Sequence, residues 1–179
     1  EPTATHLPTE TSVPTATQVP SPTPLPPLSG SGGGVLAFVA EHGGIPGIYL
    51  MNADGSDQRL VSERFDVNPA WSPDGTKLAF TSHRDNSIAI YILDLTSGEL
   101  RSFTRTKRSP TQPAWSPDGE RIAYIDNPAH PGIDYELFVT NATGSTPQQL
   151  TDTAGYQTYA APDWSPDGSR LCVASNENG

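Results

Sequence analysis

Apolar residues in this chain come in short alternating runs rather than in long helical periods. "KLAFTS" at 77–82, "RIAYID" at 121–126 and "RLCVAS" at 170–175 repeat one pattern, and "VLAFVA" at 35–40 is a further copy. In the first two, the large residues Leu78 and Phe80, or Ile122 and Tyr124, flank the small Ala79 or Ala123. Successive strand residues point to opposite faces, so the large pair occupies one face and the alanine the other. A sheet wetted on one side would carry polar residues there. Small apolar residues instead predict sheets covered on both faces. A second set of runs keeps the same phase: "GIYLMNADG" at 47–55, "AIYILDLTSG" at 89–98 and "ELFVTNATG" at 136–144. Short segments close each unit, "QRLV" at 58–61, "LRSFT" at 100–104 and "QQLT" at 148–151. Runs this short and this rich in Ile, Tyr, Phe, Val and Leu predict strands, and no apolar pattern of helical period lasts three turns.

One pentapeptide marks the phase. "WSPDG" stands at 71–75, 115–119 and 164–168, with spacings of 44 and 49 residues. Four short strands in a repeat of this length are the mark of a propeller blade. The inner strand ends in the "PAWSP" type, followed by the "LAF" type, the "IYIL" type and an outer "QRLV" type. The fold class expected is all-β, a β-propeller of four-stranded blades, about half of a six-bladed ring, preceded by a disordered Thr/Pro-rich tail. The expected domains are 1–34, a stalk with a Gly/Ser joint, and 35–179, a partial propeller. Within it blade 1 runs about 35–66, blade 2 about 67–109 and blade 3 about 110–158, with the start of blade 4 at about 159–179.

The pentapeptide contains Ser and Asp, so a catalytic reading competes with a structural one. As a turn, Pro73, Pro117 and Pro166 preset the second position, Asp74, Asp118 and Asp167 suit the third, and Gly75, Gly119 and Gly168 take a positive φ. Trp71, Trp115 and Trp164 then end the inner strands, where each ring can pack on a neighbouring blade while its indole N–H finds a partner. Ser72, Ser116 and Ser165 would need a positioned histidine to act as nucleophiles. His6, His42, His83 and His130 follow no phase. The G-x-S-x-G elbow, a phosphate-binding Gly-rich loop, paired cysteines and H-E-x-x-H are all absent. No catalytic residue, metal site or cofactor is therefore expected, and no complete calcium ligand set can be assembled from the Asp- and Asn-rich loops. "NAT" at 141–143 matches a glycosylation sequon but occupies the same turn as "NADG", which favours a turn.

Composition changes the picture mainly at the N-terminus. Residues 1–28 hold eight of the nineteen prolines and seven threonines, with no aromatic residue, Lys or Arg. Such a segment buries too little to offset its ordering entropy, and "SGSGGG" at 29–34 adds a joint. The net charge of −10 carries no basic footprint for a phosphate backbone, so nucleic acid is not the expected partner. No apolar run reaches membrane-spanning length. Cys172 is the sole cysteine, and its "LCVAS" setting predicts a small buried residue.

With WSPDG, the LAF-type strand after it and the "IYL" strand closing on a turn, the chain resembles the TolB-like β-propeller family, whose repeat is called the WD40-like Pro-Asp repeat. "SHRDN" at 82–86 is similar to that family's S-x-R-D-G loop, with Asn86 in place of the Gly. The resemblance implies either a protein-binding propeller of the bacterial envelope or the N-terminal accessory propeller of a prolyl-oligopeptidase-type serine hydrolase. A propeller lyase would need clustered histidines, which are missing. The preferred expectation is a non-catalytic module, displayed outside a bacterial membrane on the Thr/Pro-rich linker, binding a protein, peptide or glycan. Its localisation would be extracytoplasmic. Binding candidates are His83, Arg84, Asp85 and Asn86 in one loop and His130 in "NPAHPG". The phase also leaves the first unit without an inner strand and the last with two strands. The natural protein is thus expected to continue past Gly179 and close the ring, and open blade edges are expected to favour self-association.

Overall fold

A computed structural model describes residues 34–104, 108–127, 135–152 and 159–176. The Thr/Pro-rich tail lies outside the described residues, as does His130. The described residues form thirteen strands in four antiparallel sheets. The first sheet is β1 (Val35–His42), β2 (Ile45–Asn52) and β3 (Arg59–Glu63), in that order. The second is a four-stranded meander of β4 (Asp66–Trp71), β5 (Lys77–Ser82), β6 (Ala89–Asp94) and β7 (Leu100–Ser102). The third repeats it with β8 (Thr111–Trp115), β9 (Arg121–Asp126), β10 (Glu136–Asn141) and β11 (Gln148–Gln149). β12 (Tyr159–Trp164) and β13 (Leu171–Ser175) make the last. These are propeller blades; the second, third and last start from an inner strand, while the first starts from the LAF-type strand β1.

The LAF alternation is what stacks them. Leu78 and Phe80 face back toward the first sheet and pack with Ile48, Leu50, Tyr91 and Leu93. Ala79 faces forward, where it joins Ile90, Ile92 and Phe103 against Ile122, Tyr124 and Phe138 of the third sheet. Ala123 in turn faces the last sheet, with Ile125 and Leu137 packed on Tyr159, Trp164, Leu171 and Val173. The two central sheets are therefore buried on both faces, and Leu78, Ala79, Phe80, Ile122 and Ala123 are all fully buried. A large residue on one face meets a small one on the next, which lets the layers approach closely. Burying each large apolar side chain contributes about 1.5–3 kcal/mol.

Cys172 departs from expectation. It is exposed, because it takes the forward-facing small position of β13 and no described sheet lies beyond. The backward-facing Leu36 of β1 is 46% exposed for the complementary reason at the other end.

Antiparallel pairing divides the connections between two rims. The WSPDG turns, together with the turns after β2, β6 and β10, lie on a first rim. The β1–β2 turn, the β5–β6 loop holding "SHRDN" and the β3–β4 connection lie on the second. On the first rim Arg121 ties two blades together, donating from Nη2 to the Gly168 carbonyl at 3.1 Å with its guanidinium 4.4 Å from the Trp164 ring.

Candidate functional site

The three pentapeptides fold identically. In each, the glycine N–H donates to the serine carbonyl at 2.8–2.9 Å, and Gly75, Gly119 and Gly168 have φ of 69°, 73° and 68°. The serine hydroxyl donates to the aspartate of its own turn and accepts the N–H of Lys77, Arg121 or Arg170 at 2.9 Å. The hydrogen bond from Ser72, reinforced by the Thr76 backbone and hydroxyl, lowers Asp74 to about 2. Ser165 and the Ser169 backbone lower Asp167 to about 2, and Ser116 leads the same downward shift at Asp118. A carboxylate held that acidic is a poor base, and His83 stands on the opposite rim. The geometry is that of a tied turn and offers no activated nucleophile. Ser116 is fully buried, so Ser116→Ala strands the Arg121 N–H and removes one of the hydrogen bonds to Asp118. It is expected to cost about 1–2 kcal/mol in chemical denaturation.

The indoles differ among themselves. Trp164 Nε1 donates to the Ala114 carbonyl of the preceding inner strand at 3.2 Å. Trp71 and Trp115 Nε1 are buried without a partner among the described residues.

The second rim holds the "SHRDN" candidates and brings in partners that the sequence did not single out. Arg84 Nη2 donates to Asp66 Oδ2 at 2.7 Å and to Ser62 Oγ at 2.8 Å, while its Nε donates to Ser82 Oγ at 2.7 Å. Its guanidinium lies 4.7 Å from the Tyr91 ring centroid and 5.5 Å from that of Phe80. The Tyr91 hydroxyl donates to Asp85 Oδ2 at 2.9 Å. Burial first, then the Asp85 carboxylate, raises the Tyr91 phenol. Arg84 and Asp85 are therefore engaged by the fold itself.

The third blade also sets an arginine by a ring and near a buried acid, from exchanged positions, with no ion pair between them among the described residues. There Arg108, from the connection before the inner strand, lies 5.8 Å from the Phe138 ring, and Phe138 occupies the register of Tyr91. The acid is Asp126, buried at the end of β9, opposite Glu136. Burial raises Asp126 to about 6, against the lowering effects of the Asn127 N–H and Arg108, and its Oδ2 has no partner among the described residues. A carboxyl whose folded pKa exceeds its unfolded value of about 4 gives its full stabilisation below that value and loses it as pH rises through about 6. Asp126→Asn is expected to flatten the stability slope between about pH 4 and 6. At pH 7 the variant should be more stable by about 1–2 kcal/mol, allowing for screening near the rim, as read from urea midpoints at several pH values.

Backbone conformation separates the rims further. On the first rim the left-handed positions belong to glycines, among them Gly55, Gly75, Gly98, Gly119, Gly144 and Gly168, with Asp57 the exception. At and near the second rim, besides Gly43 and Gly44 of the β1–β2 turn, they include residues with side chains: Phe65, Asn68, Asp85, Asn86, Gln112 and Ala161, with φ from 48° to 59°. Asn68, Gln112 and Ala161 are in phase, each before a proline and each at a bulge of an inner strand. Gln112 Oε1 also accepts the Ala161 N–H, linking two blades. Left-handed backbone at residues other than glycine is costly and concentrates where function requires it.

Around Phe65 the second rim opens into a cleft of about 480 Å³ lined by Ile45, Glu63, Arg64, Phe65, His83 and the Arg84–Asn86 turn. Phe65 is 51% exposed, and its ring lies 6.5 Å from that of His83, tilted by 49°. The sequence singles out His83, Arg84, Asp85 and Asn86, but not Glu63, Arg64 or Phe65. Nothing periodic marks "ERF", because only the chain's path between blades brings it beside the loop. Among the described residues, no group of three or more His, Cys, Asp or Glu side chains could hold a metal ion.

The sequence profile of the TolB beta propeller domain matches this chain twice, over residues 19–131 and 67–179. A TolB homolog of Chlorobium luteolum is 41% identical over 70 residues, covering 38% of this chain and 16% of that protein. The solved structure of a TolB candidate from Agrobacterium tumefaciens superposes with a TM-score of 0.72 at 26% identity, covering 80% of this chain and 50% of the other. A solved prolyl endopeptidase shares the fold alone, at 20% identity and a TM-score of 0.56 over 78% of this chain and 24% of the enzyme. The chain thus spans half or less of the relatives it matches. With repeat, blades and profile in agreement, this chain belongs to the TolB beta-propeller domain family.

Proposed function

We propose that this chain is a non-catalytic binding module, a propeller that presents its second rim to a protein, peptide or glycan outside a bacterial membrane, with the Thr/Pro-rich segment as its stalk. The observation that carries the reading is the concentration of left-handed non-glycine residues around an open cleft on that rim. The first rim, by contrast, spends its serines and aspartates on its own turns. The bacterial TolB relatives support the extracytoplasmic placement. Likeness to prolyl endopeptidases extends to the propeller fold alone, so the accessory-propeller reading ranks second.

Arrays of peptides and of glycans probed with the labelled chain test this. Saturable binding to a subset of features is expected, with no serine labelled by a fluorophosphonate. Covalent labelling of Ser72, Ser116 or Ser165 overturns the non-catalytic reading. Equal, unsaturable binding to every feature overturns the module reading.

A further inference from the structure

The cleft's own chemistry narrows its ligand, resting on the module reading above. Its polar groups fall into two sets. Arg84 is held by Asp66, Ser62 and Ser82, and Asp85 by Tyr91. These form the floor and are not available to a ligand. The side chains of Glu63, Arg64, His83 and Asn86 line the cleft without a hydrogen bond or ion pair among the described residues. Arg64, His83 and Asn86 are exposed, and Arg64 is therefore the one cation of the cleft that is not already paired, among the described residues.

The apolar part has a shape. Phe65 and His83, tilted at 49° with Ile45 38% exposed nearby, make a notch rather than a flat platform. An aromatic or prolyl side chain packs edge-on or face-on against such a tilted pair. Beside the notch stand a donor, Arg64, an acceptor, Glu63, and a group with both, Asn86. A peptide needs this set, since each residue carries one N–H and one C=O. A carboxylate next to the inserted side chain would meet the guanidinium of Arg64.

We infer that the cleft of Ile45, Glu63, Arg64, Phe65, His83 and Asn86 binds an extended peptide segment that packs an aromatic or prolyl side chain against the Phe65–His83 pair, with a neighbouring carboxylate on Arg64. The left-handed backbone at Phe65, φ 56°, holds that ring out on the rim. The ring is thus presented to a partner while Asp66, the next residue, is fully buried beneath Arg84.

The test uses the isotope-labelled 179-residue chain and NMR titration to millimolar concentration. The probes are the hexapeptide GSDFGS, its variants GSKFGS and GSDAGS, and chitotetraose. GSDFGS is expected to shift the amide signals of residues 63–65 and 83–86 in a saturable manner, with each variant peptide about tenfold weaker. Phe65→Ser and Arg64→Gln should each weaken GSDFGS by about tenfold while leaving the remaining spectrum unchanged, which shows that the fold is intact. The inference is overturned by any of three results: no shift at millimolar peptide, shifts that map to another surface, or chitotetraose giving the same shifts where peptide gives none. The last two leave the module reading standing. Hydrolysis of the peptide, read by mass, would instead remove that reading.

Discussion

Arg84→Ala is expected to destabilise the chain by about 3 kcal/mol, measured as a shift in urea unfolding. The magnitude follows from what is left behind. Asp66 is fully buried and Arg84 13% exposed at its side chain, so truncation leaves a carboxylate out of water with the Ser62 hydroxyl as its remaining donor. The contacts of the guanidinium with Tyr91 and Phe80 disappear as well. A buried pair contributes less than its removal costs, since both charges had to be desolvated. The double variant Asp66→Asn/Arg84→Met should therefore recover most of the loss. A single variant within about 0.5 kcal/mol of the parent would show that water reaches Asp66 and that the pair is not buried in solution.

Phe80→Ala is expected to have the largest effect of a single apolar truncation, about 3–5 kcal/mol. Phe80 is fully buried between the first two sheets, against the cluster containing Ile48, Leu50 and Tyr91. Strands on both sides hold that space open, so the vacated volume cannot collapse. The control is Phe65→Ala on the rim. With Phe65 51% exposed, the change should stay within about 0.5 kcal/mol of the parent. If both phenylalanines cost the same, the sheets do not stack face to face as the alternating pattern requires.

These two phenylalanines show how far the chain could be read before folding. Phe80 was legible because it belongs to a repeated alternation that marks it as a core residue on a definite face. The serine-to-aspartate tie of each pentapeptide spans two residues and follows from side-chain length and the turn residues around it. Phe65 was not legible, since its importance comes from standing beside His83, 18 residues on, after the chain has turned between blades. Arg84 was picked out as a binding candidate from its loop, whereas its guanidinium is occupied by Asp66, 18 residues earlier, and by Ser62, 22 residues earlier. The sequence neighbours of Cys172 predict burial, but burial at that position requires a further sheet. The exchanged placement of Arg108 and Asp126 is also invisible in the sequence, because the repeat aligns position with position and the two blades place their charges at different ones.

By itself, then, the sequence determined the strands, their order within each blade, the turn that joins the first two of them and the face on which each large residue sits. All of these are set by contacts within a few residues or by a two-residue alternation. Only the tertiary structure decided which rim is committed to its own turns and where the cleft around Phe65 opens. That distinction depends on which distant residues satisfy Arg84 and Asp85 and which leave Arg64, Phe65 and His83 unengaged, and no local pattern in the chain encodes it.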